Sequence, residues 1–243
     1  MNAALPEPGE EERVLSAHLA EAIAREIGAS GGAIDFSRFM AAALYTPGLG
    51  YYTGGRQKFG QGGDFVTAPE LGDVFARLLA RPCAGILDTL DGGNILEAGA
   101  GSGRLAAGLL TELERLGRLP ERYYILDISD ELRARQAEVL KRAVPSLVGR
   151  VEWLSELPKK FRGIVLANEL LDALPVERFV IRDALIRQQQ VALKNNRLTW
   201  AERPADESIR TRIAPLALPD GYCSEIGLAA EAWTRSIADV LVR

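Results

Sequence analysis

Histidine is all but missing from this chain: His18 is the only one in 243 residues. A histidine-rich metal centre is therefore excluded, and a serine–histidine triad would have to recruit His18 from a helix surface. Cysteine is nearly as scarce. Cys83 and Cys223 cannot build a disulfide framework and lie at no metal-ligand spacing, which fits a reducing compartment and a cytoplasmic protein. Positive charge is in slight deficit, with 29 Lys and Arg against 33 Asp and Glu, for a net charge of −4. No basic face for tracking phosphates is implied, so nucleic acid is not an expected partner. Long apolar runs are lacking too. No stretch reaches the roughly 18 residues of a membrane span, and the acidic, proline-bearing Met1–Glu10 has no signal-peptide pattern.

What is present is a globular composition, 47% hydrophobic and 26% charged, enough for one large domain or a domain with a substantial appendage. Glu10–Ile27 carries Leu15, Leu19, Ile23 and Ile27 at helical spacing. Gly28 to Gly32 break it, and Asp35 or Ser37 can cap a short helix over Phe36–Leu44. Tyr45–Gly63, rich in glycine and aromatics, reads as irregular. A helix is expected over Leu71–Ala80, with Pro82 as its boundary.

From Asn94 strands and helices alternate. Strands are expected at Asn94–Glu97, Tyr123–Asp127, Val151–Leu154 and Gly163–Ala167, with helices at Arg104–Leu116 and Asp130–Ala143, the latter capped by Ser129 or Asp130. This order predicts an α/β, Rossmann-like fold with a parallel sheet under covering helices. Phe179–Ile186 and Gln188–Trp200 then read as antiparallel strands, with a turn at Asn195-Asn196, before a last helix over Ala229–Val242. The implied organisation is a helical, glycine-rich segment over 1–85 packed on a core over 86–243, with a β insertion at 176–200.

The strongest chemical signal is Glu97-Ala98-Gly99-Ala100-Gly101-Ser102-Gly103, set after a strand and before a helix. Glycines there let the backbone turn tightly and let a ligand approach it, while the next helix offers free N–H groups. Asp127, at the end of the following strand, is placed for a carboxylate to accept both ribose hydroxyls of an adenosine. Two ligands compete for this pattern. Gly101-x-Gly103-x-x-Ala106 formally fits a dinucleotide fingerprint. Glu97, however, would sit badly near a pyrophosphate and well near the ammonium of a methionine-type ligand. Glu97 and the strict glycine alternation favour S-adenosylmethionine (SAM) over NAD.

Four blocks then carry a family resemblance. They are Phe39-Met40 through Leu44-Tyr45 to Gly50-Tyr51-Tyr52; Gly63-Asp64-Phe65 with Thr67-Ala68-Pro69-Glu70; the glycine loop continued by Arg104-Leu105; and Asn168-Glu169-Leu170-Leu171-Asp172-Ala173-Leu174-Pro175. In this order the chain resembles the MidA-like family of SAM-dependent methyltransferases. The resemblance implies SAM as cofactor and a protein arginine as acceptor. Mitochondrial members modify a subunit of respiratory complex I during its assembly, so a homologue of such a subunit is the implied partner. The family continues past the last helix into further strands with an Asp-Tyr-Gly block. Here the sequence stops at Leu241-Val242-Arg243, so the sheet is expected to lack its C-terminal strands.

The resemblance also sets the site. It puts Asn168 and Glu169 beside the methyl group and lets Glu169 and Asp172 grip a guanidinium by charge-assisted bonds. For Asp172 the alternative is capping the turn before Pro175. Asp64 and Thr67 face the cofactor pocket, or else belong to a glycine-rich connector with a helix cap. Trp153 and Leu154 end the third strand, where an adenine rests, although Trp153 equally suits the core. Ile128 and Ser129 adjoin the adenosine by position. Tyr51 and Tyr52 read more readily as packing residues than as channel lining. No metal site is expected. Two other classes stand against the enzyme: a non-catalytic assembly factor, and an NAD(P)-dependent oxidoreductase, for which neither a catalytic histidine nor a Tyr-x-x-x-Lys pair is present.

Overall fold

The structure is a computed structural model that describes residues 8–54, 68–127 and 129–242. Helix α1 (Glu10–Ala29) leads into a short strand β1 (Ala33–Asp35) and α2 (Phe36–Tyr45). After α3 (Ala68–Leu71) and α4 (Val74–Thr89) come β2 (Asn94–Ala98), α5 (Arg104–Arg115), β3 (Tyr123–Leu126), α6 (Asp130–Ala143), β4 (Val151–Leu154) and β5 (Gly163–Leu166). The rest is β6 (Glu177–Arg182), β7 (Leu185–Lys194), β8 (Arg197–Pro204), α7 (Glu207–Ile213), β9 (Cys223–Ile226) and α8 (Leu228–Val240). None of the described helices is long and apolar enough to cross a membrane.

The chain folds as two compact units, residues 8–54 with 174–231 and residues 68–127 and 129–173 with 232–242. Helices α3 and α4 thus group with the second unit, a division that differs from one at residue 85.

In the first unit β7 is the hub of an antiparallel sheet. It pairs with β6 and then β1 along one edge and with β8 along the other, while β9 adds to β6. The turn at Asn195-Asn196 is present, with both residues at positive φ. A second turn of the same kind, at Asp183-Ala184 (φ 51° and 59°), was not foreseen and divides the expected strand Phe179–Ile186. Alanine has no preference for that region, so the pairing of Ile181 with Ile186 imposes it. Asp35 does not cap α2 with its side chain. Its carboxylate instead pairs with Arg203 at 3.1 Å and accepts from Gln190 Nε2 at 2.9 Å.

The second unit is the expected parallel sheet, in the order β4-β3-β2-β5. Its strands are apolar on both faces, as a doubly covered sheet requires. Ile95, Tyr123, Ile125 and Ile164 join the buried faces of α4, α5 and α6 in one core, while Leu96, Ala98, Tyr124 and Val165 meet Phe161 and Trp233 on the other face. Pro82 is no boundary: it lies inside α4 on the exposed side. The stripe Ala76, Ala80, Cys83, Ala84 and Leu87 packs on both sides of it, and that burial carries the helix through the missing N–H. The break falls earlier, at Gly72 (φ 147°), between α3 and α4. Beyond α8 the chain makes a parallel bridge between Leu241 and Phe161.

Candidate cofactor site

The C-terminal ends of β2, β3, β4 and β5 lie side by side because the four strands are parallel and in register, Glu97 against Ile125 and Leu166, and Leu126 against Leu154. This is the edge at which ligands gather in open α/β sheets. The glycine loop leaves β2 there. Gly99 (φ 71°), Gly101 (53°) and Gly103 (85°) are all left-handed, which explains glycine at each. Gly99 is exposed, and a Cβ on it would stand 3.0 Å from Leu170 Cδ1. The segment after β5 therefore abuts the loop, which brings the Asn168–Asp172 block next to Gly99.

Asp127 follows β3 and is buried. Its Oδ1 accepts from the backbone N–H of Ser129 at 3.0 Å and its Oδ2 from Gln136 Nε2 at 2.8 Å. Ser129 is also the cap of α6, accepting from Leu132 N–H at 3.3 Å. Arg133, one turn on, donates to the carbonyls of Asp127 (2.8 Å) and Leu154 (2.9 Å) and so ties the ends of β3 and β4 together. The indole N–H of Trp153 donates to Gln136 Oε1 at 2.9 Å, and its ring packs on the α5–α6 core. Leu154 packs on the opposite face.

Glu97 is buried in the sheet, its Oε2 accepting from the Tyr123 hydroxyl at 2.7 Å. Burial pushes its carboxyl up to about 7, an effect opposed by the Tyr123 hydrogen bond and reinforced by the charge of Asp127. Tyr123 is itself raised well above the usual phenol range, first by burial and then by Glu97. Glu70 reaches the loop from α3: it accepts from the Ser102 hydroxyl and lies 3.6 Å from the Arg104 guanidinium.

After β5, Asn168 is half-buried, and Glu169 is exposed in a left-handed conformation (φ 53°), uncommon for a residue with a Cβ. Asp172 is exposed in a short 3-10 turn, and neither acid has a hydrogen-bond or ion-pair partner among the described residues. The structure thus assembles Glu97, Gly99, Gly101, Gly103, Asp127, Ser129, Trp153, Leu154, Asn168, Glu169 and Asp172 within one unit. Asp64, Thr67 and Ile128 lie outside the described residues.

Residues 78–243 match a family model described as "Putative S-adenosyl-L-methionine-dependent methyltransferase". A solved protein from Burkholderia thailandensis, bound to S-adenosyl-homocysteine, matches over 99% of this chain and 64% of its own, with TM-score 0.93 and 44% identity. The chain belongs to the MidA-like methyltransferase family. Among curated relatives, mitochondrial protein arginine methyltransferase NDUFAF7 of Danio rerio is 30% identical over 176 residues, and that of Bos taurus 26% over 220. The chain spans 40% and 47% of those two proteins.

The MidA-like site fits the cofactor in the family's description. A buried carboxylate follows β3, the left-handed glycine loop lies beside it with Gly99 exposed, and the acid Glu97 stands just before that loop. Gln136, Arg133 and Tyr123 also serve this site, although none of them belongs to a sequence motif. For Gln136 a signal existed: it interrupts the line Leu132, Gln136, Leu140 on one face of α6, and a polar residue on an apolar stripe needs partners.

Proposed function

We propose that this chain binds SAM at the C-terminal ends of β2, β3 and β4 and serves methyl transfer to a protein side chain, arginine being the acceptor. The observation that carries the reading is the environment of Asp127. Each of its carboxylate oxygens takes one internal donor, which leaves each a free acceptor position for a ribose hydroxyl. The glycine loop lets the methionine end approach the backbone, with Glu97 as its nearby acid. Trp153 and Leu154, half-buried at the end of β4, are the apolar residues nearest in position for adenine. Ile128 belongs to the pocket by its position after Asp127, and Asp64 and Thr67 by resemblance.

When bound, SAM supplies an electrophilic methyl group on a sulfonium centre. The chain's task is then to place the acceptor and receive a proton. Glu169 and Asp172, exposed carboxylates beside the Asn168 turn, suit a bidentate grip on a guanidinium. The names of the curated relatives support arginine as acceptor. A homologue of a respiratory complex I subunit is the partner in this reading, and the cytoplasm its place, where the exposed Cys223 stays a thiol.

Calorimetric titration with SAM, with NAD as control, tests the reading. Saturable SAM binding that falls by about a hundredfold or more in Asp127→Ala is expected, the scale of two lost charge-assisted hydrogen bonds. Absence of SAM binding by folded protein, or binding of NAD in its place, would overturn it. Glu169→Gln that bound SAM normally and retained full transfer to arginine would remove Glu169 from its role.

A further inference from the structure

Gln136 is fully buried, yet it contacts the proposed ligand position only through other groups. Its amide has four hydrogen-bonding positions, and three are engaged. Nε2 donates to Asp127 Oδ2 at 2.8 Å and to the Gly101 carbonyl at 3.1 Å, while Oε1 accepts from the Trp153 indole N–H at 2.9 Å. An amide can exchange its oxygen and nitrogen by a half-turn. An indole N–H can only donate. Trp153 therefore decides which way the amide faces: the oxygen must point to the indole, so the nitrogen must point to Asp127 and the glycine loop. A flipped amide would set its oxygen against two acceptors and its NH₂ against a donor.

We propose that Gln136, latched by Trp153, is the positioning residue of the cofactor site, holding the Asp127 carboxylate and the Gly101 carbonyl with their remaining lone pairs directed outward to the ligand. This rests on the SAM-binding reading. The amide joins the ribose carboxylate to the middle of the glycine loop through one nitrogen, so two segments far apart in sequence are set at one spacing. Gly103 keeps that spacing short. A Cβ on it would stand 3.1 Å from Gln136 Cα, so α6 approaches the loop as closely as a glycine allows. The charged groups around the amide are Asp127 after β3, Arg133 on α6 itself, which is held on two carbonyls, and Glu97 on β2, whose carboxyl feels Asp127.

Gln136→Glu separates positioning from filling space. The side chain keeps its shape and still accepts from Trp153, but its inner oxygen now faces Asp127 Oδ2 and the Gly101 carbonyl. It fits only while a proton is shared there, as for paired carboxylates. Two readouts are taken at pH 6 and pH 8.5. The first is the Trp153 indole ¹⁵N–¹H resonance of the ligand-free protein, assigned by its loss in Trp153→Phe. The second is calorimetric affinity for S-adenosyl-homocysteine, as the ratio of variant to wild-type Kd.

The proposal expects the resonance to move between the two pH values far more in Gln136→Glu than in the wild type. It also expects the Kd ratio to rise by about tenfold or more from pH 6 to pH 8.5, the size of one charge-assisted hydrogen bond turned repulsive. Trp153→Phe, which keeps an aromatic ring but frees the amide to flip, should weaken binding by about fivefold or more at both pH values. A Gln136→Glu Kd ratio and indole resonance that are independent of pH would overturn the proposal. So would unaltered affinity in Trp153→Phe. If the wild type takes no S-adenosyl-homocysteine, the ligand reading fails, and the resonance of the ligand-free protein still decides the latch.

Discussion

Tyr123 donates its hydroxyl hydrogen to Glu97 at 2.7 Å across the β2–β3 pair, and both side chains are buried. Burial raises the Glu97 carboxyl to about 7, whereas in the unfolded chain it titrates near its ordinary 4.5. Between those values the folded protein keeps a proton that the unfolded chain has lost. Stability therefore falls as pH rises from about 4.5 to about 7, and the whole penalty, about 3 kcal/mol, stands above pH 7. Glu97→Gln keeps an acceptor for Tyr123 and removes the titration. Urea unfolding should find it more stable than the wild type at pH 8.5, with the gap closing towards pH 5. A gap of equal size at both values would show that Glu97 does not titrate in this range.

Gly103 combines a left-handed φ of 85° with a Cβ position 3.1 Å from the backbone Cα of Gln136 on α6, while Gly117 has φ 67° and open space. Gly117→Ala should cost about 1–2 kcal/mol for the conformation alone. Gly103→Ala should add about 1–3 kcal/mol for crowding that a backbone neighbour cannot relieve. Denaturation midpoints of the two variants check this, and equal losses would count against close approach at Gly103.

Glu70 connects α3 to the glycine loop through Ser102 and Arg104. Arg104 is largely exposed, so the ion pair itself adds little, and the Ser102 hydrogen bond is the part that orders the loop. Glu70→Ala should weaken S-adenosyl-homocysteine binding by about fivefold, because only part of the ordering by this charge-assisted hydrogen bond is felt at the ligand, while thermal stability changes little. Unchanged affinity would mean that the loop holds its form without α3.

Arg203 stands between Asp35 and Asp206, with nitrogen–oxygen distances of 3.1 Å and 2.5 Å. Both carboxylates hold the guanidinium protonated far above the usual range, Asp206 by its hydrogen bond most of all, and the Asp206 carboxyl is lowered in return. Arg203→Met should destabilise the first unit by about 1–3 kcal/mol, chiefly through Asp35, the less exposed of the two acids. A double-mutant cycle with Asp35→Asn checks the coupling, and additive losses would refute it.

Much of the second unit was legible because its physics is local. The alternation of strand and helix from Asn94, the cap at Ser129 and the glycine loop each depend on residues a few positions apart, and each is where the sequence puts it. The first unit was read less well. Strands β1 and β9 are three and four residues long and lie outside any strand–helix alternation, and they exist because β7 and β6 offer them an edge. Pro82 misled for the converse reason: a local rule stopped a helix that long-range packing carries through.

By itself the sequence determined the parallel sheet, the glycine loop, the acid at Asp127 and the family to which they belong, since strand–helix alternation, loop conformation and ligand chemistry follow from residue types at short spacing. Only the tertiary structure decided that Glu97 is turned towards Tyr123 and keeps a proton near neutrality, and that Gln136 joins Asp127, Gly101 and Trp153. Those properties arise from burial and from the meeting of segments that are up to 35 residues apart, and a buried polar group takes its character from whatever the fold brings within hydrogen-bond reach.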